Sequence, residues 1–233
     1  MKVVLISDIH GNAHALKAII KAISKIEFEM VICCGDYVGY YYEPDLVLSM
    51  LDKLNWTGVG GNHESMLNDW VNHRNRSNIL SKYGSGIFFA EKKLSKLQIN
   101  RLIQMPATRM LTLDNKKILI CHGSPNDRDY YLYPDSTKKV VKEIFNYKPE
   151  FDIMVCGHTH YPAIWHSGNR MIINPGSVGQ TRDRIPGACW ALLDTQACKV
   201  EFFRERYNFD SLIKMCKKND LSLKYLAEVL VRT

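Results

Sequence analysis

The feature of this chain that most constrains its fold is a series of five short apolar runs, each of which ends in polar residues able to bind a ligand. The polar groups that follow the runs are Asp8-Ile9-His10, Gly35-Asp36, Gly61-Asn62-His63-Glu64, His122 and Gly157-His158-Thr159-His160. An apolar run that stops in this way is typical of a buried strand that delivers a polar side chain to the edge of a sheet. In open α/β sheets, ligands bind at that edge. The pattern therefore predicts one site built from several strand ends.

The side chains at these ends form a set of oxygen and nitrogen donors suited to metal ions. They are Asp8, His10, Asp36, Asn62, His122, His158 and His160. Seven donors exceed what one cation needs, so two metal ions are the economical explanation. If residues 8 to 10 are extended, Asp8 and His10 point the same way and can bind one ion, while the two oxygens of Asp36 can bridge two ions. A mixed set without thiolate favours Mn²⁺, Fe, Zn²⁺, Ni²⁺ or Co²⁺ over a structural zinc finger or calcium.

Each motif has a purely structural alternative when it is taken alone. Asp8 and His10 can be an ordinary surface or core pair, and Asn62 can cap a helix. The segment from His158 to His160 can be a loop with one hydrogen-bonded core histidine. Five such segments in order rarely arise by chance, so the combination favours the metal site.

Composition and charge narrow the class of protein. The 233 residues, 46% hydrophobic and 24% charged, fit one large domain and exclude a disordered or fibrous chain. No apolar stretch approaches the ~20 residues of a membrane span, and a first strand at Val3 leaves no room for a signal peptide. Seven cysteines without a C-x-x-C pair are expected to be reduced, as in the cytoplasm. The formal charge of +7 suits phosphate esters, but no arginine-rich run supports nucleic-acid binding.

Hydrophobic periodicity predicts a βαβαβ opening and therefore a parallel sheet. The opening strands are predicted at 3–7, 30–34 and 56–59, and its helices at 13–26 and 43–54. Residues 64–104 are predicted to be a mainly helical insert. The remaining predictions are a hairpin of 107–113 and 116–121, a helix at 137–147, strands at 152–156, 162–167, 170–173, 188–194 and 198–204, and two C-terminal helices over about 209–231. Ser222 is the expected cap of the second of these helices. One four-layer α/β/β/α domain over residues 1–233 accounts for this order better than two domains.

The motifs resemble the calcineurin-like metallophosphoesterase superfamily. Its signature is Asp-x-His, Gly-Asp-x-x, Gly-Asn-His-Glu/Asp, a lone His and Gly-His-x-His, and all five elements occur in order between residues 8 and 160. The later segment Asn174-Pro175-Gly176-Ser177-Val178-Gly179-Gln180 resembles the small bacterial and archaeal phosphodiesterase branch, as does Gly35-Asp36-Tyr37-Val38-Gly39-Tyr40. The likeness covers about residues 3 to 204.

The resemblance implies a role for each donor. Asp8, His10 and His160 would hold the first metal, Asn62, His122 and His158 the second, and Asp36 would bridge them. His63 resembles the family's catalytic histidine, which lies beside the metals without ligating either. The expected catalytic residues are therefore His63, Asp36 and Asn62. Glu64 is expected to orient a neighbour or to start a helix rather than to bind metal.

The implied reaction is hydrolysis of a phosphodiester or phosphomonoester. Two divalent ions, Mn²⁺ first among them, would clamp the phosphoryl group and acidify a bridging water to the attacking hydroxide. His63 would protonate the leaving group, with an acidic partner holding its tautomer. Arg182 and Arg184 are candidates for binding substrate phosphate; in the alternative they are solvated or pair with Asp183.

Other functions remain open at this point. A nuclease or a nucleotide-polyphosphate hydrolase would suit the basic charge, and an interaction scaffold, as in the retromer subunit, would share the fold. The intact ligand set and His63 argue against the scaffold. Two tyrosine clusters, at 37–42 and 130–133, either pack against the core and the rim or line a pocket that stacks a base or an aryl group.

Overall fold

The computed structural model describes residues 1–146 and 150–233, which contain ten strands and nine helices. The strands are β1 (Lys2–Ile6), β2 (Met30–Cys33), β3 (Trp56–Gly58), β4 (Thr108–Leu113), β5 (Lys116–Cys121), β6 (Ile153–Val155), β7 (Pro162–Ser167), β8 (Arg170–Pro175), β9 (Ala188–Asp194) and β10 (Lys199–Glu205). The helices are α1 (Ala13–Ile23), α2 (Pro44–Leu51), α3 (Asn62–Val71), α4 (Arg76–Tyr83), α5 (Gly86–Lys93), α6 (Lys96–Ile103), α7 (Lys138–Phe145), α8 (Asp210–Asn219) and α9 (Tyr225–Val231).

The strands form two five-stranded sheets, ordered β10-β9-β1-β2-β3 and β4-β5-β6-β8-β7. In the first sheet β1, β2 and β3 are parallel, as the βαβαβ pattern predicts, and β9 adds antiparallel to β1. The pairing of Lys2 in β1 with Asp194 in β9 places the first strand of the sequence beside a strand from its C-terminal part. In the second sheet β5, β6 and β8 are parallel, and the predicted hairpin forms between β4 and β5.

Alternation along β1 shows why the sheets stack. Val3 and Leu5 are fully buried in a cluster that also contains Ile120 of the second sheet. Val4 and Ile6 point the other way, into the cluster formed with α1, α2 and the helices of the 62–103 segment. A strand that is apolar on both faces must be covered on both sides.

The outer face of the second sheet is covered by α7. Leu119 and Met154 pack there against Val141, Ile144 and Phe145. Together the two sheets and their outer helices form the predicted α/β/β/α arrangement. The last residue of the helix predicted at 137–147 lies outside the described residues.

The C-terminal helices pack on the loop that follows β2. Tyr40, Tyr41 and Tyr42 share a buried cluster with α8 and α9, and the Tyr41 hydroxyl donates to the carbonyl of Leu226 at 3.1 Å. The predicted cap at Ser222 is wrong, because α9 begins at Tyr225 after Lys224 and has no side-chain cap. In the described ranges, no helix is long and apolar enough to cross a membrane.

Candidate metal centre

The predicted donors all follow strand ends and meet where the two sheets adjoin. Asp8 and Asp36 follow β1 and β2, Asn62 begins α3 just after β3, and His122 follows β5 directly. His158 and His160 follow β6. All seven donors are buried. Side chains far apart in the sequence therefore form one cluster.

The backbone at these donors differs from the extended form expected for residues 8 to 10. Asp8 (φ 56°) and His10 (φ 53°) are left-handed, as are Asp36 (56°), His158 (67°) and His160 (65°). The strand ends at Ile6, and the backbone N–H groups of Asp8 and His10 donate to the carbonyls of Gly35 and Asp36 in the loop that follows β2. Left-handed backbone is uncommon for residues other than glycine, and such strain gathers at functional sites.

One group of donors surrounds Asp8. Its Oδ1 lies 3.3 Å from His160 Nε2 and 3.9 Å from His10 Nε2, and these two nitrogens are 3.1 Å apart. The backbone N–H of His158 donates to both Asp8 oxygens. This group has one carboxylate and two imidazoles with their ligand atoms within 4.8 Å of one another.

A second group surrounds His122. Its Nε2 lies 3.0 Å from Asn62 Oδ1, 3.3 Å from His158 Nδ1 and 3.2 Å from Asp36 Oδ2. The same Asp36 oxygen is 3.7 Å from His10 Nε2. Asp36 thus lies between the two groups.

Backbone carbonyls orient three of the imidazoles. His10 Nδ1 donates to Val38 at 3.3 Å, His122 Nδ1 to Cys34 at 2.6 Å and His160 Nδ1 to Gln180 at 2.5 Å. Since a carbonyl can only accept, the neutral rings carry the proton on Nδ1 and turn the Nε2 lone pair toward the cluster. This is the orientation in which histidine binds metal. Sequence reasoning missed these carbonyls, because a backbone acceptor leaves no signal in residue type.

Charge in the cluster is unbalanced without a cation. Burial opposes ionisation of Asp36, yet His122 and His63 hold the pKa of its carboxyl well below the usual range. Burial disfavours a charged imidazole at His122, yet Asp36 and Asp8 raise its pKa to about 10. The two carboxylates therefore favour positive charge in this cluster, which a divalent metal ion would supply.

His63 lies beside the donors in the first turn of α3. Its Nε2 is 4.0 Å from Asp36 Oδ2, and its ring contacts those of His10, Tyr40 and Tyr83. Burial lowers the pKa of His63 to about 4. Among the described residues no group binds Nδ1, so the expected acidic partner is absent there. Gly39 packs against this nitrogen, and a Cβ at Gly39 would meet it at 1.9 Å.

Glu64 holds the loop that carries Asp36. Its carboxylate accepts the backbone N–H groups of Asp36 and Tyr37 at 2.9 Å and of Gly61 at 2.8 Å. Burial raises the pKa of Glu64 to about 7, and the Asp36 charge adds to the rise. Glu64 also lies at the start of α3, so it fulfils both expected roles.

The segment 174–180 braces two of the donor loops. Asn174 Nδ2 donates to the carbonyl of Gly157 at 2.8 Å and to Thr159 Oγ1 at 2.9 Å. Ser177 Oγ donates to the carbonyl of Asp8 at 2.8 Å. These bonds hold the loop that follows β6, which carries His158 and His160, and the loop that follows β1, which carries Asp8.

The two arginine candidates differ in position. Arg182 is partly buried beside the cluster, where it donates to the Tyr40 hydroxyl at 3.2 Å. Burial of the His160 ring is the main reason that its pKa is lowered, and the charge of Arg182 lowers this pKa further. Arg184 is exposed, and the described residues give it no hydrogen bond or ion pair. Asp183 pairs with Arg204 instead of either candidate.

The chain belongs to the calcineurin-like phosphoesterase superfamily, whose domain model matches residues 1–197. The uncharacterised protein MJ0912 of Methanocaldococcus jannaschii is 30% identical, covering 94% of this chain and 93% of that protein. Phosphodiesterase MJ0936 of the same organism is 22% identical over 84% of this chain and 94% of its own length. The crystal structure of a metallophosphoesterase from Sphaerobacter thermophilus matches with a TM-score of 0.81 and 24% identity, covering 100% and 98% of the two chains.

The protein is therefore a phosphoesterase of a family that depends on divalent metal. The buried Asp and His groups at the sheet junction are compatible with that dependence.

Proposed function

We propose that the chain hydrolyses phosphodiester or phosphomonoester bonds with two divalent metal ions. Asp8, His10 and His160 would hold one ion, and Asn62, His122 and His158 the other. The observation that carries this proposal is the position of Asp36 between the groups, 3.7 Å from His10 Nε2 and 3.2 Å from His122 Nε2.

The residues fit such a centre in their chemistry. His10 and His160 turn unprotonated nitrogens toward each other at 3.1 Å, a contact that two lone pairs would otherwise disfavour. His158 Nε2 is buried and has no hydrogen-bond partner among the described residues. Donors of this kind, without thiolate, suit Mn²⁺ first and Ni²⁺, Fe, Zn²⁺ or Co²⁺ as alternatives.

When bound, two such ions supply Lewis-acid polarisation of the phosphoryl oxygens and lower the pKa of coordinated water. The chain's own residues then orient the ester. Arg182 would bind a non-bridging phosphate oxygen, and His63 would donate a proton to the leaving oxygen from Nε2. Burial lowers the pKa of His63 to about 4, and the negative charge of a bound phosphate would oppose that effect because it stabilises the imidazolium.

Metal analysis of Asp36→Ala tests the binuclear arrangement. The variant should lose both ions, because one carboxylate serves both groups, whereas Asp183→Ala, altered at a carboxylate paired with Arg204, should keep them. One fully occupied ion in Asp36→Ala would contradict bridging.

Activity should follow the metal. The Mn²⁺- or Ni²⁺-loaded protein is expected to hydrolyse bis-aryl phosphate, and a chelator should abolish this activity. A fully metallated protein that is inert toward aryl diesters, aryl monoesters, cyclic nucleotides and single-stranded DNA would favour a scaffold of the same fold.

His63→Ala separates catalysis from metal binding. It should keep both ions yet lose roughly 10²- to 10⁴-fold in rate, the range of general acid catalysis. The loss should be largest for alkoxide leaving groups and smaller for nitrophenolate, which departs readily as an anion. Because His63 also forms a compact group with His10 and Asp36, loss of a metal from this variant would make His63 a ligand instead.

A further inference from the structure

Two exposed tyrosines stand at the edge of the donor cluster. The rings of Tyr131 and Tyr133 are stacked, with centroids 5.5 Å apart and planes 17° apart. Tyr131 also contacts His158, a predicted metal ligand, with ring centroids 4.2 Å apart. Tyr131 is 46% exposed and Tyr133 is 42% exposed, so both offer ring surface to a molecule in the site. By contrast, Tyr37, Tyr41 and Tyr42 are fully buried and serve the core.

Arg182 supplies a cation close to the same cluster, since the ring of Tyr40, to which it donates, has its centroid 4.6 Å from that of His10. The Arg182 guanidinium donates to the Tyr40 hydroxyl at 3.2 Å, and although burial opposes its charge, Tyr40 and Tyr131 raise the pKa of Arg182. No carboxylate among the described residues forms an ion pair with Arg182. A partly buried guanidinium without a carboxylate partner is suited to an anionic ligand, and its planar fork matches phosphate.

We propose that Tyr131 and Tyr133 form a stacking platform for a planar aromatic group of the substrate, while Arg182 holds the adjoining phosphate. The substrate class is then a phosphate ester that carries a nucleobase or a comparable ring. This inference rests on the proposed function, since it assigns the ester that the same site receives. Tyr131 contacts the donor His158 directly, and Arg182 donates to Tyr40, whose ring lies beside the donor His10, so the rings and the guanidinium both adjoin the cluster that would receive the phosphate.

Binding measured without turnover tests the platform separately from hydrolysis. Calorimetric titration of the metal-loaded protein would compare AMP with ribose 5-phosphate, which has the same phosphate and sugar but lacks the base. Each ester, including the phenyl phosphate below, would be used as its phosphonate analogue, whose P–C bond is not hydrolysed. AMP should bind roughly 5- to 100-fold more tightly, the range that stacking of one base on an aromatic side chain contributes. A ratio near one in the wild-type protein would overturn the proposal.

Variants then assign the gain to the rings. Tyr133→Leu should bring the ratio toward one, whereas Phe88→Leu, which alters an aromatic residue that is 41% exposed on α5, should preserve it. Arg182→Gln should weaken both ligands alike and leave their ratio unchanged. A ratio that persists in Tyr133→Leu, or that falls equally in Phe88→Leu, would contradict the platform.

Phenyl phosphate distinguishes the two sources of the ring. A gain shared by phenyl phosphate and AMP over ribose 5-phosphate assigns simple aryl esters, and a gain confined to AMP assigns nucleotides. Both results require the platform. If the ratios behave as expected while no ester is cleaved, the platform stands and the proposed hydrolysis fails.

Discussion

Replacing Glu64 with alanine should destabilise the protein strongly although this residue is not a predicted metal ligand. The change removes the acceptor for four buried N–H groups: those of Asp36, Tyr37 and Gly61 within 2.9 Å, and that of Val38 at 3.4 Å. Each buried donor left without a partner costs about 1–3 kcal/mol. The loop can relax and water can enter the space left by the side chain, so the total cost of these unpaired N–H groups lies toward the lower end of that range. We therefore expect a loss of about 3–5 kcal/mol in the free energy of unfolding.

The assay is denaturant unfolding of the chelated protein, so that metal affinity does not enter the measured stability. By the scaling for chains of this size, the thermal midpoint should fall by roughly 6–20 °C. Glu201→Ala is the matched control, because its carboxylate joins only an exposed pair with Lys199, and such pairs contribute little to stability. A Glu64→Ala variant as stable as Glu201→Ala would refute the argument that the Glu64 carboxylate holds the Asp36 loop.

Three further outcomes are expected. Gly39→Ala should lose activity, because the added Cβ collides with His63. Gly168→Ala is the control and should keep its activity, since Gly168 also has a positive φ but its Cβ would meet nothing within 4 Å. Equal activities of the two variants would contradict the contact between Gly39 and His63. Alkylation of the native protein at pH 8, followed by mass spectrometry, should modify Cys198 alone, because the other six thiols are buried. Burial also raises the pKa of a thiol such as Cys156, to about 12, and so disfavours the reactive thiolate. Rapid modification of several cysteines would contradict this expectation. Chelation should lower the thermal midpoint, because metal at 100 times its Kd contributes about 2.7 kcal/mol to the folded state, and an unchanged midpoint would argue against a preformed site.

The positions of the donors could be predicted because a buried strand and its polar end are both visible in residue type. Asp36 follows a continuous apolar run, and a parallel strand buried on both faces requires such a run. The same reasoning gave the helical segment before Pro106 and the hairpin of β4 and β5.

The local geometry could not be predicted in the same way. Asp8 and His10 were expected in extended backbone, and no feature of their residue type indicates that tertiary contacts hold them at positive φ. The carbonyls of Cys34 and Gln180, which orient imidazoles, are equally invisible in sequence. Ser222 suits a cap by residue type, but the turn at Asp220–Leu223 delays α9 by two residues.

The central place of β1 in the first sheet also sets the order in which this chain can mature. β1 pairs with β9, which is nearly the whole length of the chain away, and the second sheet supplies His122, His158 and His160 only after residue 121. A nascent chain that has left the ribosome up to residue 150 therefore holds Asp8 and Asp36 but neither β9 nor two of the histidines. Closing contacts of such long sequence separation is slow. We expect metal to enter after synthesis is complete, so that the ions lock a finished junction and do not template its folding.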